Sequence, residues 1–422
     1  MTGNNTDNKV GKSLENDGVL LTVSERKHLE ARQRRGVVFK ALTLLPVILA
    51  IGLIVALLGD VLVGSISWQV VEPRGSAQTF SWAESFRGFS TWKQVVRLEL
   101  SAQGLDAEAI DDLFQDRERL RKFRLRNRVQ FVWFADDKSW RWLVSNSRDK
   151  RIDDIGVFRG FSERHDLLDS LEDGQILYLN PWFDVAFFQK NASRTPIMAG
   201  LISALVGSLW VISLVVVFSL PIGVGTAVYL EEYAPDNGYT RFLEVNLRNL
   251  AGVPSIVYGI LGLSVFVRLM QIGPTVLAAS LTLSLLILPV VVIASREAIR
   301  GVPDSLREAS YGLGATRWQT VSRVVLPNAM NGIVTGMILS VARAVGETAP
   351  LLLVGAAAFV PRLPEGPLST YTVIPIQIYS WIAENDAEFQ HVASSGIITL
   401  LVVLVLLYSI AFFVRRRFER NW

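Results

Sequence analysis

The chain has 422 residues, half of them hydrophobic, a formal net charge of +3 and no cysteine. That balance is too apolar for an ordinary soluble protein of this size and indicates a polytopic membrane protein. It leaves no polycationic surface for nucleic acid, and no disulfide, thiolate metal site or cysteine nucleophile. His28, His165 and His391 lie far apart in the chain, so no histidine metal centre is expected.

Residues 1–36 are polar and end in Arg26, Lys27, Arg32, Arg34 and Arg35. They read as a cytoplasmic N-terminal tail, because basic residues accumulate on the inner side of the first span. Gly11-Lys12-Ser13 resembles the end of a phosphate loop, but Thr6 occupies the position of its first glycine, so that motif is set aside. The first transmembrane helix is expected within 37–62, whose uncharged stretch 41–59 is long enough to cross the hydrocarbon core.

Residues 65–195 differ in kind, with equal numbers of basic and acidic residues and seven tryptophans. A charged segment from Asp106 to Arg128 reads as a helix with a solvated face. Two alternating runs follow, 129–134 and 139–144, joined at Asp136-Asp137 as a hairpin. The expectation is a soluble α+β extracytoplasmic (periplasmic) domain inserted after the first helix.

Residues 197–415 carry five further apolar runs: 197–229, interrupted by Pro221, Gly223 and Gly225; 249–267; 269–295; Gly332–Leu353; and 392–414. Six spans return the chain to its starting side, in accord with Arg415, Arg416 and Arg417 and a cytoplasmic tail at 416–422. The run Gly332–Leu353 reads as one helix with Arg343 and Glu347 a turn apart, and Ser340, Gly336 and Gly332 on the same face. Charges at membrane depth mark a transport path or a structural ion pair, and both readings stand from the residues alone. Gly332 and Gly336 read as a close helix–helix contact, whereas Asn249, Ser255 and Tyr258, around Pro254, are either path-lining or part of a kink.

The connection 296–327 is basic and carries two capping-box patterns, Ser305 to Glu308 and Thr316 to Gln319. It is expected to form two short helices, the second running to Pro327. Leu306 and Ala309 offer one apolar face, and Trp318, Val321 and Val325 another, for a docking partner or for an ordinary interfacial loop.

Glu308, Ala309, Ser310, Gly314, Val324, Leu326 and Pro327 resemble, in type and spacing, the E-A-A loop of ABC-importer permeases. The stretches LEEYAP at 230–235, NLAGVPSIVYG at 249–259 and ARAVGETAPL at 342–351 make the chain similar to phosphate-specific permeases of the PstA type. The resemblance implies an all-α permease with six helices of the type I ABC-importer fold. It implies coupling to a separate ATPase dimer through Glu308–Pro327, a second related permease subunit, a periplasmic phosphate-binding protein and an inner (cytoplasmic) membrane location. It assigns the substrate pathway to Arg343, Glu347 and, more weakly, Thr348, with Ser340 on the same face. No catalytic residue, metal or cofactor is expected on this chain, since ATP and Mg would lie on the ATPase. Import of another oxyanion (sulfate or molybdate) and a sensor role for 65–195 are the competing functions.

Overall fold

The computed structural model describes residues 46–72, 80–81, 127–136, 138–146, 149–357 and 359–418, together with 44, 97, 106, 110–111 and 114–115. The N-terminal tail, most of the charged segment 106–126 and residues 419–422 lie outside the described residues. The chain divides at Asp60 into two units. The first contains most of α1, whose apolar span runs over Pro46–Gly64; its leucine, isoleucine and valine side chains are exposed, as a lipid-facing helix requires.

In the second unit the hairpin forms where alternation places it, as β3 (Asn127–Phe134) and β4 (Ser139–Asn146), with Val132 opposite Arg141. With β1 (Ile66–Glu72), β2 (Phe80–Ser81), β5 (Lys150–Gly156) and β6 (Ile176–Pro181) they make an antiparallel sheet of order β2-β4-β3-β6-β1-β5. Trp68, Val70, Ile155 and Leu177 build one apolar cluster, to which Leu167 and Leu168 of α3 (Arg164–Asp169), the helix after α2 (Val157–Ser162), are added. Val71, Val132, Phe134 and Leu143 build another.

Arg128 does not sit on a solvated helix. It is a buried residue of β3, where alternation turns it inward with Val132 and Phe134. Its guanidinium donates to Asp184 Oδ1 at 2.8 Å and to the Ile197 carbonyl at 2.8 Å. That satisfies the buried charge and ties the sheet to the segment leading into the membrane helices. A second tie joins β5 to the last long helix. Arg151 pairs with Glu388, His391 meets Asp154 at 2.8 Å, and Trp182 stacks on His391 at 6.0 Å between ring centroids. The inserted domain is therefore packed onto the bundle at two places.

After α4 (Val185–Gln189) comes α5, a helix of 32 residues from Ile202 to Tyr233. Pro221, Gly223 and Gly225 do not break it; helix interiors in membranes tolerate such residues where neighbours and hydroxyls satisfy the backbone, and Ser219 Oγ donates to the Val215 carbonyl at 2.6 Å. Its last turn, Tyr229–Tyr233, is a π-turn. The expected single run 249–267 is a bent pair: α6 (Gly238–Ala251) and α7 (Ser255–Leu269) meet at 99°, with Pro254 at the corner. Then come α8 (Val276–Arg300), the short α9 (Asp304–Gly312), α10 (Arg317–Gly346), α11 (Ala349–Val354), α12 (Ile374–Ile382) and α13 (Glu388–Phe418). Among the described residues five helices are long and apolar enough to span a membrane, and six if the bent pair counts as one span.

The core lies between α5, α8, α10 and α11, where Val211, Val215, Leu283, Ile287, Met337 and Leu351 meet. Gly332 and Gly336 form the seam of α10 with α8. A Cβ at Gly336 would lie 2.4 Å from Ala294 Cβ, and one at Gly332 would lie 2.5 Å from Ala298 Cβ. The small-residue face is a packing device, as the spacing of four predicts.

Candidate functional site

Around Arg343 the helix is not continuous. α10 ends at Gly346, Glu347 is extended (φ −80°, ψ 112°), and α11 restarts after Thr348 with Pro350 in its first turn. The expected helix Gly332–Leu353 is thus two helices with a break between them. Proline suits a first turn, whose N–H groups have no helical partner. Arg343 occupies the last turn of α10, where a positive charge complements the negative end of the helix dipole. Non-helical backbone at membrane depth persists only where it is buried in protein or lines a cavity.

Glu347 nevertheless reaches Arg343: Arg343 Nε donates to Glu347 Oε1 at 3.4 Å, with the side chains 44% and 19% exposed. Charge-assisted bonds between such groups are about 2.7–2.9 Å when tight. This one is long and held by a single nitrogen, and among the described residues nothing else takes up the guanidinium fork. Thr348 is partly buried and makes no capping bond. Ser340 is buried, donates to the Gly336 carbonyl at 2.9 Å and lies in the helical row of Gly336. The same bundle brings Tyr258 within electrostatic reach of Arg343. Tyr258 is buried and donates to the Leu250 carbonyl at 2.9 Å, bracing the α6–α7 corner. Asn249 is exposed and Ser255 partly buried on that corner. A cavity of about 250 Å³ between α5, α10 and α13 is lined only by groups such as Leu220, Met337, Leu404 and Tyr408. Without a charged lining residue it offers nothing to an oxyanion.

The loop 301–327 forms the two expected helices, with two corrections. α9 begins at Asp304 after Pro303, and Ser305 does not cap it. The second capping box is present: Thr316 Oγ1 accepts from the Gln319 N–H, and Gln319 Oε1 accepts from the Thr316 N–H. That helix does not stop at Pro327. A π-turn at Val321–Val325 accommodates the proline, which lacks a backbone donor, and α10 runs on to Gly346. Gly314, with φ +82°, makes the left-handed turn between the two helices. Val321 and Val325 are buried against Ile299 and Ile333 and are closed to a partner. Leu313 and Trp318 remain outside, 90% and 63% exposed, beside the exposed Glu308 and Ala309. Ser310 is hydrogen-bonded to Thr320 at 2.9 Å, and Leu326 and Pro327 are partly buried at the start of the long apolar helix.

The charges of the LEEYAP stretch, to which the sequence alone gives no role, are engaged in the structure. The π-turn at the end of α5 sends its two carboxylates in different directions. Glu231 accepts from Arg296 at 2.7 Å and Arg300 at 3.0 Å, and Arg296 also reaches Glu244 at 2.7 Å. Glu232 accepts from Arg307 of α9, at 3.1 Å from Nε and 2.9 Å from Nη2. Arg307 also donates to the Ile299 and Val302 carbonyls, and Arg317 lies 5.2 Å over the Tyr233 ring.

Residues 219–422 match the family described as binding-protein-dependent transport system inner membrane component. The "Probable ABC transporter permease protein YqgI" of Bacillus subtilis is 33% identical over 237 residues, covering 53% of this chain and 80% of that protein. The chain belongs to this permease family. "Phosphate transport system permease protein PstA 1" of Mycobacterium tuberculosis is 46% identical over 154 residues, 36% of this chain and 50% of the relative. "Phosphate transport system permease protein PstA" of Mycobacterium leprae is 37% identical over 217 residues, 50% of this chain and 70% of that protein, and the permease is of the PstA type. Among solved structures, an inward-facing MetNI methionine ABC transporter aligns with 52% of this chain and 95% of its own, at 20% identity and a TM-score of 0.40. The sheet domain precedes the family match, which begins inside α5.

Proposed function

We propose that the chain is the permease subunit of an ATP-driven importer that passes inorganic phosphate across the inner membrane by alternating access. The observation that carries this reading is Arg343: a half-open guanidinium at the end of a broken helix, with Glu347 in the break. Phosphate presents several strong acceptor oxygens, and a rigid fork can give two of them parallel hydrogen bonds. Glu347 holds the arginine when cargo is absent, and the long contact lets cargo displace it. Thr348 supplies a hydroxyl beside the same break. Weak holding suits passage, which requires release.

In this reading a periplasmic phosphate-binding protein delivers cargo, a second permease subunit completes the path, and an ATPase dimer with its ATP and Mg docks on Glu308, Ala309, Leu313 and Trp318. The permease itself hydrolyses nothing and holds no cofactor. The tails 1–36 and 416–422 lie in the cytoplasm and the sheet domain lies outside. The PstA naming of the mycobacterial relative supports phosphate over sulfate or molybdate. The test is uptake of labelled phosphate in a deletion strain, with sulfate and molybdate as competitors. Arg343→Lys and Arg343→Ala should both abolish uptake, by at least about 100-fold, the loss of two charge-assisted bonds at about 1.5 kcal/mol each, while the complex still co-purifies. Normal uptake by both variants refutes the site. A sensor role for residues 65–195 predicts instead that deleting them spares uptake.

A further inference from the structure

We propose that Glu232 and Arg307 are positioning residues for energy coupling: their ion pair splints α9 to the end of α5. A displacement of α9 then moves the helix bundle instead of flexing the loop. This extends the ATP-driven reading, which treats the loop only as a docking surface.

By itself the loop is soft. α9 has nine residues, the last of them Gly312, and is joined to its neighbours through Gly301 before it and Gly314 after it, the latter at φ +82°. Glycine joints resist bending poorly. A force on Glu308 or Ala309 would therefore be dissipated in those joints unless α9 is braced from the side. Arg307 is the brace. It lies one residue before Glu308, is largely buried (14% exposed), and makes two directional bonds to one oxygen of Glu232, itself 7% exposed. The same guanidinium holds the Ile299 carbonyl in the last turn of α8, the Val302 carbonyl just beyond it and Asp304 in the first turn of α9. Buried pairs are little screened by salt, so the brace stays stiff in the cell. A second tie converges on the same π-turn, from Arg317 in the first turn of α10 to the Tyr233 ring. Both helices of the loop are thus fastened to residues 229–233, and through them to a helix of 32 residues. Glu231, by contrast, pairs among the described residues with Arg296 and Arg300 of α8, and braces nothing in the loop.

The test uses the full complex in proteoliposomes. Glu232→Gln keeps an acceptor and removes the charge; Arg307→Gln removes the fork, and Arg307→Lys keeps the charge alone. The expected result for Glu232→Gln and Arg307→Gln is at least a tenfold fall in substrate imported per ATP hydrolysed, with basal hydrolysis and co-purification retained and partial rescue in Arg307→Lys. An unchanged ratio overturns the proposal, as does a parallel loss of uptake and hydrolysis. The chain has no native cysteine, so a second measurement needs no change to the ion pair. Spin labels at Ile222→Cys and Tyr311→Cys, both at exposed positions outside the docking surface, should keep their separation to within about an ångström (well under one helical turn) between nucleotide-free and ATP-trapped states. A shift of several ångströms with the pair intact refutes the splint. This distance does not depend on which oxyanion is carried, so it stands if phosphate proves to be the wrong cargo.

Discussion

The α8–α10 seam makes a quantitative prediction. Gly336→Ala would place a methyl carbon 2.4 Å from Ala294 Cβ, whereas unstrained carbon contacts lie at about 3.5–4.0 Å. The helices must separate by over about 1 Å, and overpacking of this kind costs about 1–3 kcal/mol. Replacing glycine within a helix returns about 1 kcal/mol of propensity, so the single variant should be destabilised by only about 1 kcal/mol. The clash itself is exposed by a cycle with Ala294→Gly, which removes the opposing methyl. The double variant should be more stable than the sum of the singles by about 2 kcal/mol, within the range for residues in contact. Reversible unfolding of the reconstituted permease, in a detergent series or by heat, measures it. Additivity to within about 0.3 kcal/mol refutes the close contact and the seam with it.

Three further outcomes are expected. Arg128→Met leaves Asp184 without its buried partner and should destabilise the sheet domain by about 3 kcal/mol, read as faster proteolysis of 65–195 while the membrane helices stay intact. Lys190 is pushed down from 10.5 to about 7 by burial first and the nearby Arg128 second. Between those values the unfolded chain binds more protons than the folded one, so stability should rise with pH from about 7 to about 10; Lys190→Met should remove that slope, and a pH series of unfolding midpoints checks it. Trp318→Ala and Leu313→Ala strip apolar area from the exposed end of the loop; each should weaken capture of the ATPase subunit about tenfold or more, for a loss of about 1.5–3 kcal/mol per large buried side chain, without changing the fold of the permease.

How much of this was legible in the sequence depends on which forces act locally. The apolar runs marked where the long helices fall, because in lipid only helices and closed barrels satisfy the backbone, but they showed neither the corner at Pro254 nor the full length of α10. The hairpin at 127–146 and the Thr316 capping box followed from alternation and from local hydrogen bonding. The break after Gly346 was signalled by Pro350, a first-turn proline, but the apolar letters around it concealed the interruption. Arg128 was misplaced because an arginine among arginines looks solvated, and only the sheet register and the distant Asp184 make it a buried strand residue. The π-turn at Val321–Val325 has a local cue in Pro327, two residues on, whereas the one at Tyr229–Tyr233 has none and is held by the α8 arginines.

The unbroken helix from Arg317 to Gly346 makes α10 a lever. At about 1.5 Å per residue, Arg343 stands about 40 Å from Arg317. A tilt of about 5° at the loop end sweeps the guanidinium through about 3.5 Å, as far as its 3.4 Å contact with Glu347 is long. Because the helix stops three residues later, the carboxylate is attached beyond the end of the lever and need not travel with it. On the import reading proposed above, a small rotation at the loop end would be enough to open the arginine.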